Sequence, residues 1–410
     1  MASLRSFSLV LGGDLIAKAL NAFALLAAMR VLSAHELGDY VYVSAIGITA
    51  YTFFNSYFNR AIVFDLVTAA QLRATQYVAL FLTVTGYTLI AVFARSVDLG
   101  ITLAGLTLAG AAIIFEVRRS ILQREGAFRR FTLVEVGRSV LFFTLTIGVL
   151  ALFPNNRAFW LLWSLALSYL VAVAALQSAI PSGALTWKGV KTVALELASR
   201  NSILLLGFFL FAGLAAQLPA LLYRPIATPQ DYAEFGVAFR YYGLLVSVVT
   251  AINVVIMPAV ATVNEGDVRS LIKRFTYLAL FAILIIFAAA GIGFYLMPII
   301  NAGKYPAAPI IFLIMASAPA FGIPCLIFLL FYQRNGRYGT LLFSQLIGVA
   351  TTTFMLKVFA PAHPLAAAAS APIGIAVQLL ALIAAYPRSG GTPLAAPSDA
   401  AEVPRHSGGR

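Results

Sequence analysis

Long apolar segments recur along almost the whole chain and constrain its fold more than any other feature of the sequence. Each approaches the roughly 20 residues that an α-helix needs to cross the hydrocarbon core of a bilayer. Of the 410 residues, 61% are hydrophobic and 10% are charged. A soluble domain has about a quarter of its residues charged. The surface of this chain must therefore face lipid, and the sequence predicts an all-α polytopic membrane protein.

The apolar segments divide into about twelve predicted transmembrane helices, six in each half of the chain. They lack the alternation of apolar and polar residues that is typical of membrane β-barrel strands. The predicted spans are Ser8–Leu32, Tyr40–Phe64, Thr75–Ala94, Leu99–Leu122, Phe131–Phe153, Ala158–Ile180, Ser202–Tyr223, Phe235–Ala259, Tyr277–Met297, Ala307–Phe331, Thr340–Leu356 and Leu365–Tyr386.

The predicted domain organisation is two six-helix lobes joined by a cytoplasmic segment. The N-lobe covers residues 1–180 and the C-lobe covers residues 201–388. The joining segment, 181–200, contains Thr186–Arg200, whose apolar residues share one helical face, as expected of an interfacial amphipathic helix. The remaining 389–410 is rich in Gly, Pro, Ala and Ser, which predicts a disordered cytoplasmic tail.

The distribution of Lys and Arg predicts the orientation of the chain in the membrane. With the N-terminus in the cytoplasm, the inner loops and helix ends hold 19 of the 28 basic residues, and the outer ones hold 6. The other three, Lys18, Arg138 and Arg240, lie within spans. The positive-inside rule therefore places both termini in the cytoplasm. The net charge of +13 reflects this topology, so no nucleic-acid partner is expected.

A weak internal repeat supports the division into two lobes. His35–Tyr40 (HELGDY) precedes the second span, and Gln230–Phe235 (QDYAEF) precedes the eighth span, 195 residues later. Because each lobe begins inside and has an even number of spans, the repeat is parallel. Paired repeats around a central cleft are a common transporter design.

Two pairs of opposite charges are predicted within the membrane. Asp14 and Lys18 are four residues apart on the first helix, and Glu135 and Arg138 are three residues apart on the fifth. Such spacings place both side chains on one helical face. Each pair has two interpretations, a self-neutralising structural contact or a functional group in a cavity. In the functional interpretation Lys18 and Arg138 contact substrate, and Asp14 binds or senses a coupling ion.

Arg240 differs from the paired charges because no acidic residue lies three or four positions away on its helix. A buried guanidinium needs a partner from elsewhere, and either a phosphate or a carboxylate from another helix would serve. Arg30, at the outer end of the first span, is either an interfacial anchor or a cavity residue. Glu116 and Arg119 are expected to form a helix-end pair at the cytoplasmic surface.

The sequence offers no residues for metal or nucleotide chemistry. Cys325 is the single cysteine, and the three histidines are too scattered for a zinc site. No glycine-rich loop is followed by Lys and Ser or Thr, so a P-loop is not indicated. We therefore expect no catalytic residues, no metal, no cofactor and no enzymatic activity.

Several motifs resemble the polysaccharide-exporter branch of the multidrug/oligosaccharidyl-lipid/polysaccharide (MOP) superfamily. The first is Arg30–Tyr40 (RVLSAHELGDY), with a similar element at Asp231–Arg240 (DYAEFGVAFR). Pro258, Ala302–Tyr305 (AGKY) and Asn335–Arg337 (NGR) also fit in order and spacing. Each motif alone is degenerate, whereas their succession over both lobes is specific.

The resemblance implies a V-shaped pair of lobes that works by alternating access in the bacterial inner membrane. Its substrate would be an oligosaccharide on a polyprenyl diphosphate, moved from the cytoplasmic to the outer leaflet. Arg30 and Arg240 match positions where related flippases carry cavity arginines, and Lys18 and Arg138 would extend this set to bind the diphosphate. A proton or sodium gradient, or the membrane potential, would drive transport. Partners would include a polysaccharide polymerase and glycosyltransferases.

Two other functions stay open at this point. One is a drug/cation antiporter of the same superfamily, although such an antiporter favours an acidic cavity and the intramembrane cations here outnumber the acids. The other is a non-transporting membrane subunit of a polysaccharide assembly complex, which would leave the intramembrane charges unexplained.

Overall fold

The computed structural model describes residues 4–63, 67–68, 71–94, 98–177, 186–197, 199–262, 268–361 and 363–386. The regular secondary structure within these ranges is α-helical. The helices are α1 (Leu4–Val31), α2 (Ala34–Val63), α3 (Leu72–Ala94), α4 (Leu99–Arg124), α5 (Phe128–Leu152), α6 (Arg157–Ala175), α7 (Trp187–Leu197), α8 (Arg200–Tyr223), α9 (Pro229–Thr262), α10 (Val268–Ile300), α11 (Ala308–Met315), α12 (Ala318–Arg334), α13 (Tyr338–Val358) and α14 (Pro364–Ala384).

Most helices coincide with predicted spans, but the tenth span is not continuous. It is divided into α11 and α12 by a turn at residues 316–317. Pro319 lies in the first turn of α12, where proline is tolerated, because it has no backbone N–H to donate to the preceding turn. α9 and α10 also extend beyond the predicted Phe235–Ala259 and Tyr277–Met297, since their polar ends continue the helix past the apolar region.

Nine helical stretches in the described residues are long and apolar enough to cross a bilayer. They are α3 to α6, α8, α10, α11 with α12, α13 and α14. Helices α1, α2 and α9 have 28, 30 and 34 residues, so they too are long enough. These three carry several of the ionisable residues considered below, and polar positions in membrane helices usually face a cavity or another helix.

The helices pack as two lobes. In the N-lobe α1 lies along α5, α2 along α4, and α4 along α6. In the C-lobe α13 lies between α8 and α14, while α9 packs against α11 and α12. The close approach of α13 and α14 requires small residues, because a Cβ at Gly348 would lie 3.0 Å from the carbonyl oxygen of Gly374. The lobes meet mainly where α2 lies against α8 and α9.

α7 lies within the segment predicted to be an amphipathic helix. It contacts both α3 in the N-lobe and α8 in the C-lobe. Val193 is buried, whereas Trp187 is 81% exposed and Lys188 and Lys191 are exposed. The division of apolar and basic faces matches a helix that lies at a membrane surface. The predicted tail, 389–410, lies outside the described residues.

Candidate functional site

The helices α2 and α9 begin with similar N-terminal caps, and this similarity explains the internal sequence repeat. The Glu36 amide donates to Ser33 Oγ at 3.2 Å, while Ser33 Oγ donates to Glu36 Oε2 at 2.9 Å. The Asp231 amide likewise donates to Thr228 Oγ1 at 3.1 Å, and that hydroxyl donates to Asp231 Oδ2 at 2.7 Å. At α2 the Ser33 amide also donates to Glu36 Oε2 at 3.0 Å, which completes a capping box, and the contacts of Thr228 and Asp231 form a similar cap at α9.

The Glu36 carboxylate also joins two connections of the N-lobe. Its Oε1 accepts a hydrogen bond of 3.1 Å from the backbone amide of Arg157 at the start of α6. Burial alone raises the pKa of Glu36, but the hydrogen bonds from Ser33 and Arg157 outweigh it and lower the pKa below its usual value. The α1–α2 and α5–α6 connections therefore share one end of the bundle.

We call this end, where the α1–α2, α8–α9 and α10–α11 connections meet, the junction end. Here an ion pair crosses between the lobes: Arg224 Nη2 donates to Asp39 Oδ1 at 2.9 Å. The second Asp39 oxygen lies 3.4 Å from His35 Nε2. The Arg224 guanidinium lies 5.4 Å from the centroid of the Tyr232 ring. The pair is partly buried, which makes it stronger than an exposed salt bridge.

Two glycines allow α2 and α9 to approach closely at the junction end. A Cβ at Gly38 would lie 3.3 Å from the Tyr232 ring, and a Cβ at Gly236 would lie 2.9 Å from Val41. Tyr232 is fixed because its hydroxyl donates to the Ala220 carbonyl at 2.8 Å. The junction end is therefore closed by direct packing of one lobe on the other.

The α10–α11 connection adds contacts from the C-lobe to the end of α1. Lys304 Nζ donates to the Leu32 carbonyl, and the Tyr305 hydroxyl donates to the Met29 carbonyl at 3.5 Å. Glu234, next to the cap of α9, accepts a hydrogen bond of 2.7 Å from the Ala307 amide and so holds this connection to α9. Three segments of the C-lobe thus touch the N-lobe at one end.

Arg240 lies on α9 where that helix faces α2. Its Nη2 donates to Ser44 Oγ, and the guanidinium lies 5.3 Å from the centroid of the Tyr40 ring. Its Nε is buried without a hydrogen-bond partner. Within the part of the chain that the structure describes, no carboxylate forms an ion pair with Arg240. Among the described residues, the groups that contact its guanidinium are therefore neutral.

The pair predicted on α1 is present. Lys18 Nζ lies 2.7 Å from Asp14 Oδ2, and both side chains are about one-third exposed. Arg30, at the end of the same helix, is exposed. Lys18 and Arg30 are thus accessible in the structure, and Arg240 is half-buried.

The second predicted pair is also present, but it belongs to a larger network. Arg138 Nη2 donates to Glu135 Oε1 at 2.6 Å, and the guanidinium lies 4.4 Å from the Tyr169 ring centroid. The other Glu135 oxygen lies 3.8 Å from Arg119 Nη1. Arg119 in turn lies 3.4 Å from Glu116. We call Glu116, Arg119, Glu135 and Arg138 the N-lobe quartet.

Glu116 and Arg119 form the predicted pair, but the prediction that this pair lies at the surface was wrong. Their side chains are only 16% and 22% exposed, because α5 brings Glu135 against them and the Phe131 ring covers Arg119 at 4.2 Å. The network therefore connects α4 and α5 inside the lobe.

The chain has the two-lobe fold of about twelve transmembrane helices found in MOP transporters, which confirms the predicted fold class. The lipid II flippase MurJ in an inward closed conformation superposes with a TM-score of 0.68 at 10% identity, over 92% of this chain and 86% of that chain. At the level of sequence, the chain matches no family profile and no curated protein.

Two further structural neighbours are MATE transporters. An inward-facing MATE family transporter has a TM-score of 0.59 at 12% identity, over 93% of each chain. A mutant of the Vibrio cholerae MATE transporter VcmN has a TM-score of 0.57 at 12% identity, over 93% of this chain and 97% of that chain. Likeness at such identities defines the fold alone.

Proposed function

We propose that the protein is a flippase that moves a polyprenyl-diphosphate-linked oligosaccharide from the cytoplasmic to the outer leaflet by alternating access. It works in the bacterial inner membrane with both termini in the cytoplasm. The observation that carries this proposal is Arg240, a half-buried guanidinium whose described contacts are the neutral side chains Ser44 and Tyr40.

Arg240 has the position and the chemistry for a diphosphate. It lies about 16 Å along α9 from the start of that helix at Pro229, and about 8 Å inside the predicted span that begins at Phe235. A desolvated charge without a counter-charge is costly, and an anionic ligand would remove that cost. Guanidinium groups bind phosphate oxygens in a bidentate manner, which suits a diphosphate that must leave water.

The contact of Arg240 with Ser44 also suggests how substrate binding is connected to alternating access. The two residues belong to different lobes, on α9 and α2. A phosphate that takes the Arg240 Nη2 replaces the hydroxyl and removes one contact that holds the lobes together. The junction end would then be held by the Asp39–Arg224 pair and by helix packing.

The four proposed cations differ in how readily they could contact substrate. Lys18 and Arg30 are accessible, and Arg240 is half-buried. The Arg138 side chain is only 5% exposed and is engaged by Glu135 and Tyr169. We propose that Arg240, Lys18 and Arg30 make the first contacts and that Arg138 contributes only after the N-lobe quartet rearranges. Asp14, which pairs with Lys18, would bind or sense the coupling proton or sodium ion.

A drug/cation antiporter is the second candidate, because MATE transporters share the fold. A cationic substrate needs an accessible carboxylate, and Asp14 beside Lys18 is the one on α1. The two functions make opposite demands on charge: Arg240 attracts a diphosphate and repels a cation. The third candidate is a non-transporting subunit of an assembly complex with a polymerase and glycosyltransferases. Such a subunit would need neither the Arg240 cation nor the Asp14 carboxylate.

The test is Arg240→Ala and Arg240→Lys in cells, with membrane abundance and outer-leaflet glycan measured together. Arg240→Ala should lower export by about 10- to 100-fold at normal abundance, as expected for the loss of charge-assisted hydrogen bonds. Lysine should restore only part of it, because an ammonium lacks bidentate geometry. Arg129→Ala, which changes an exposed arginine at the start of α5, is the control.

Normal export by an abundant Arg240→Ala protein would contradict the proposal. Efflux of an organic cation that improves in Arg240→Ala and fails in Asp14→Asn would favour the antiporter instead. Unchanged export and efflux in all variants, with loss of glycan polymerisation when the chain is deleted, would favour the assembly subunit.

A further inference from the structure

A cavity of about 250 Å³ lies within the C-lobe, apart from the contacts at the junction end. Its walls come from α8, α9, α11, α12, α13 and α14. The cavity exists because small residues face it on four of these helices. They are Ala212, Ala215, Ala216, Ala318, Gly322, Gly348, Ala371 and Gly374.

The walls are uncharged and mostly apolar. Three of the polar wall residues, Gln345, Thr352 and Gln378, form hydrogen bonds within the lobe. Gln378 Nε2 donates to Gln345 Oε1 at 2.7 Å, and Gln345 Nε2 donates to the Phe211 carbonyl at 3.5 Å. Thr352 Oγ1 donates to the Gly348 carbonyl at 3.0 Å. Because these side chains already form hydrogen bonds within the lobe, a ligand in the cavity does not have to supply hydrogen bonds to them.

Three classes of ligand could be considered for this cavity: an organic cation, a sugar and a hydrocarbon chain. An organic cation would lose its hydration without gaining a carboxylate, since none of the residues lining the cavity is charged. A sugar ring would bring several hydroxyl groups against few free partners, and each buried unpaired group is costly. A hydrocarbon segment incurs neither cost and can fill the apolar space through van der Waals contacts. The walls favour hydrocarbon.

The size of the cavity fits a short branched chain. An apolar protein cavity of about 150 Å³ binds benzene, so a cavity of about 250 Å³ holds roughly ten carbons, or two isoprene units. Its position connects it to the phosphate site proposed above. Phe239 and Tyr242 line the cavity and lie close to Arg240 on α9, so one helix separates the uncharged cavity from the Arg240 guanidinium.

We infer that this C-lobe cavity binds an isoprenoid segment of the carrier lipid close to the diphosphate. The inference rests on the proposed function, because that function supplies the diphosphate that brings an isoprenoid, and not a phospholipid acyl chain, to α9. The C-lobe then recognises both parts of the carrier, the anion through Arg240 and the chain through the cavity.

The test is direct binding of geranyl diphosphate, inorganic diphosphate and linear decyl diphosphate to the purified full-length protein in nanodiscs. Gly322→Leu fills the cavity, because Gly322 lines it and a Cβ there meets no atom within 4 Å. Gly291→Leu on α10 is the matched control, since its Cβ also meets nothing within 4 Å and Gly291 is not among the lining residues.

Gly322→Leu should weaken binding of geranyl diphosphate by about tenfold or more and leave inorganic diphosphate unchanged. Gly291→Leu should change neither. Equal binding of geranyl diphosphate to wild type and Gly322→Leu overturns the inference, and so does an equal loss in both glycine variants. Decyl diphosphate that binds as well as geranyl diphosphate overturns the choice of an isoprenoid.

The same experiment separates this inference from the proposed function. If Gly322→Leu weakens binding of geranyl diphosphate while Arg240→Ala leaves binding of inorganic diphosphate unchanged, the cavity binds isoprenoid and the diphosphate proposal fails. If Arg240→Ala abolishes binding of inorganic diphosphate but geranyl diphosphate binds wild type no more tightly than inorganic diphosphate does, the proposed function stands and the cavity inference is wrong. Displacement of geranyl diphosphate by a monosaccharide or an organic cation also contradicts the inference.

Discussion

Neutralising Asp39 should open the junction end. Asp39 on α2 accepts a hydrogen bond of 2.9 Å from Arg224 at the end of α8, so this ion pair crosses between the lobes. Asp39→Asn keeps the size of the side chain and removes its charge. The Asp39–Arg224 pair exists only while the lobes are together, whereas the caps of α2 and α9 form within each lobe. The substitution should therefore shift the conformational equilibrium without unfolding either lobe.

The expected size of the shift follows from the exposure of the pair. The side chains of Arg224 and Asp39 are 22% and 19% exposed, so the pair is screened less than a surface salt bridge. A hydrogen bond to a charged group contributes about 1.5–3 kcal/mol, and asparagine retains part of it. A net loss of about 1.4 kcal/mol changes the ratio of open to closed molecules about tenfold. An open state populated at about 1% would rise to about 10%.

Electron-resonance distance measurement between two spin labels can follow this change. In a Cys325→Ser background, labels at Leu99 and Val358 report the separation of the lobes, because both positions are exposed and lie near the junction end on different lobes. Asp231→Asn is the control. It makes the same change at the same end, but the Asp231 carboxylate bonds to Thr228 within its own connection.

Asp39→Asn should add a population at longer distance, and Asp231→Asn should leave the distribution as in wild type. Indistinguishable distributions for Asp39→Asn and wild type would refute the idea that this ion pair holds the junction end closed. A similar shift in the control would show that helix capping, and not the contact between lobes, controls the opening.

Three further predictions concern topology, coupling and the N-lobe quartet. Cysteines at Lys188 and Gly391 should resist membrane-impermeant thiol reagents in intact cells, and rapid labelling at either position would contradict the predicted orientation. Asp14→Asn should remove the dependence of transport on an ion gradient, and transport that keeps that dependence would exclude Asp14 from coupling. Glu135→Gln should lower the free energy of unfolding by about 3 kcal/mol, because Arg138 loses its buried counter-charge. Thermal unfolding measures this loss. The control is Glu125→Gln at an exposed turn, which should have no effect.

The contacts predictable from sequence are those that depend on helical spacing. Asp14–Lys18 and Glu135–Arg138 form as predicted because residues three or four apart on a helix lie on one face whatever surrounds them. The repeat before the second and eighth spans was visible for a similar reason, since a capping box is a local pattern. The sequence alone, however, did not show that the repeat marks the caps of two helices.

The contacts that could not be predicted join distant segments. A single sequence does not show which helices are neighbours, so nothing linked Arg119 to Glu135 or Arg224 to Asp39. For the same reason Ser44 and Tyr40 could not be predicted as the partners of Arg240. The division of the tenth span was readable in principle from Pro319, but an apolar segment of this length does not show whether a helix continues.

The two lobes begin their second helices in the same way but treat buried charge differently. In the N-lobe acids and bases neutralise one another, both in the buried quartet and in the partly exposed Asp14–Lys18 pair. Across all six predicted spans of the C-lobe, Arg240 is the single Asp, Glu, Lys or Arg. An apolar side chain would pack there at lower cost, so the stability of the lobe alone does not account for an arginine at this position. Under the function proposed above, an anionic ligand would offset the cost of burying Arg240.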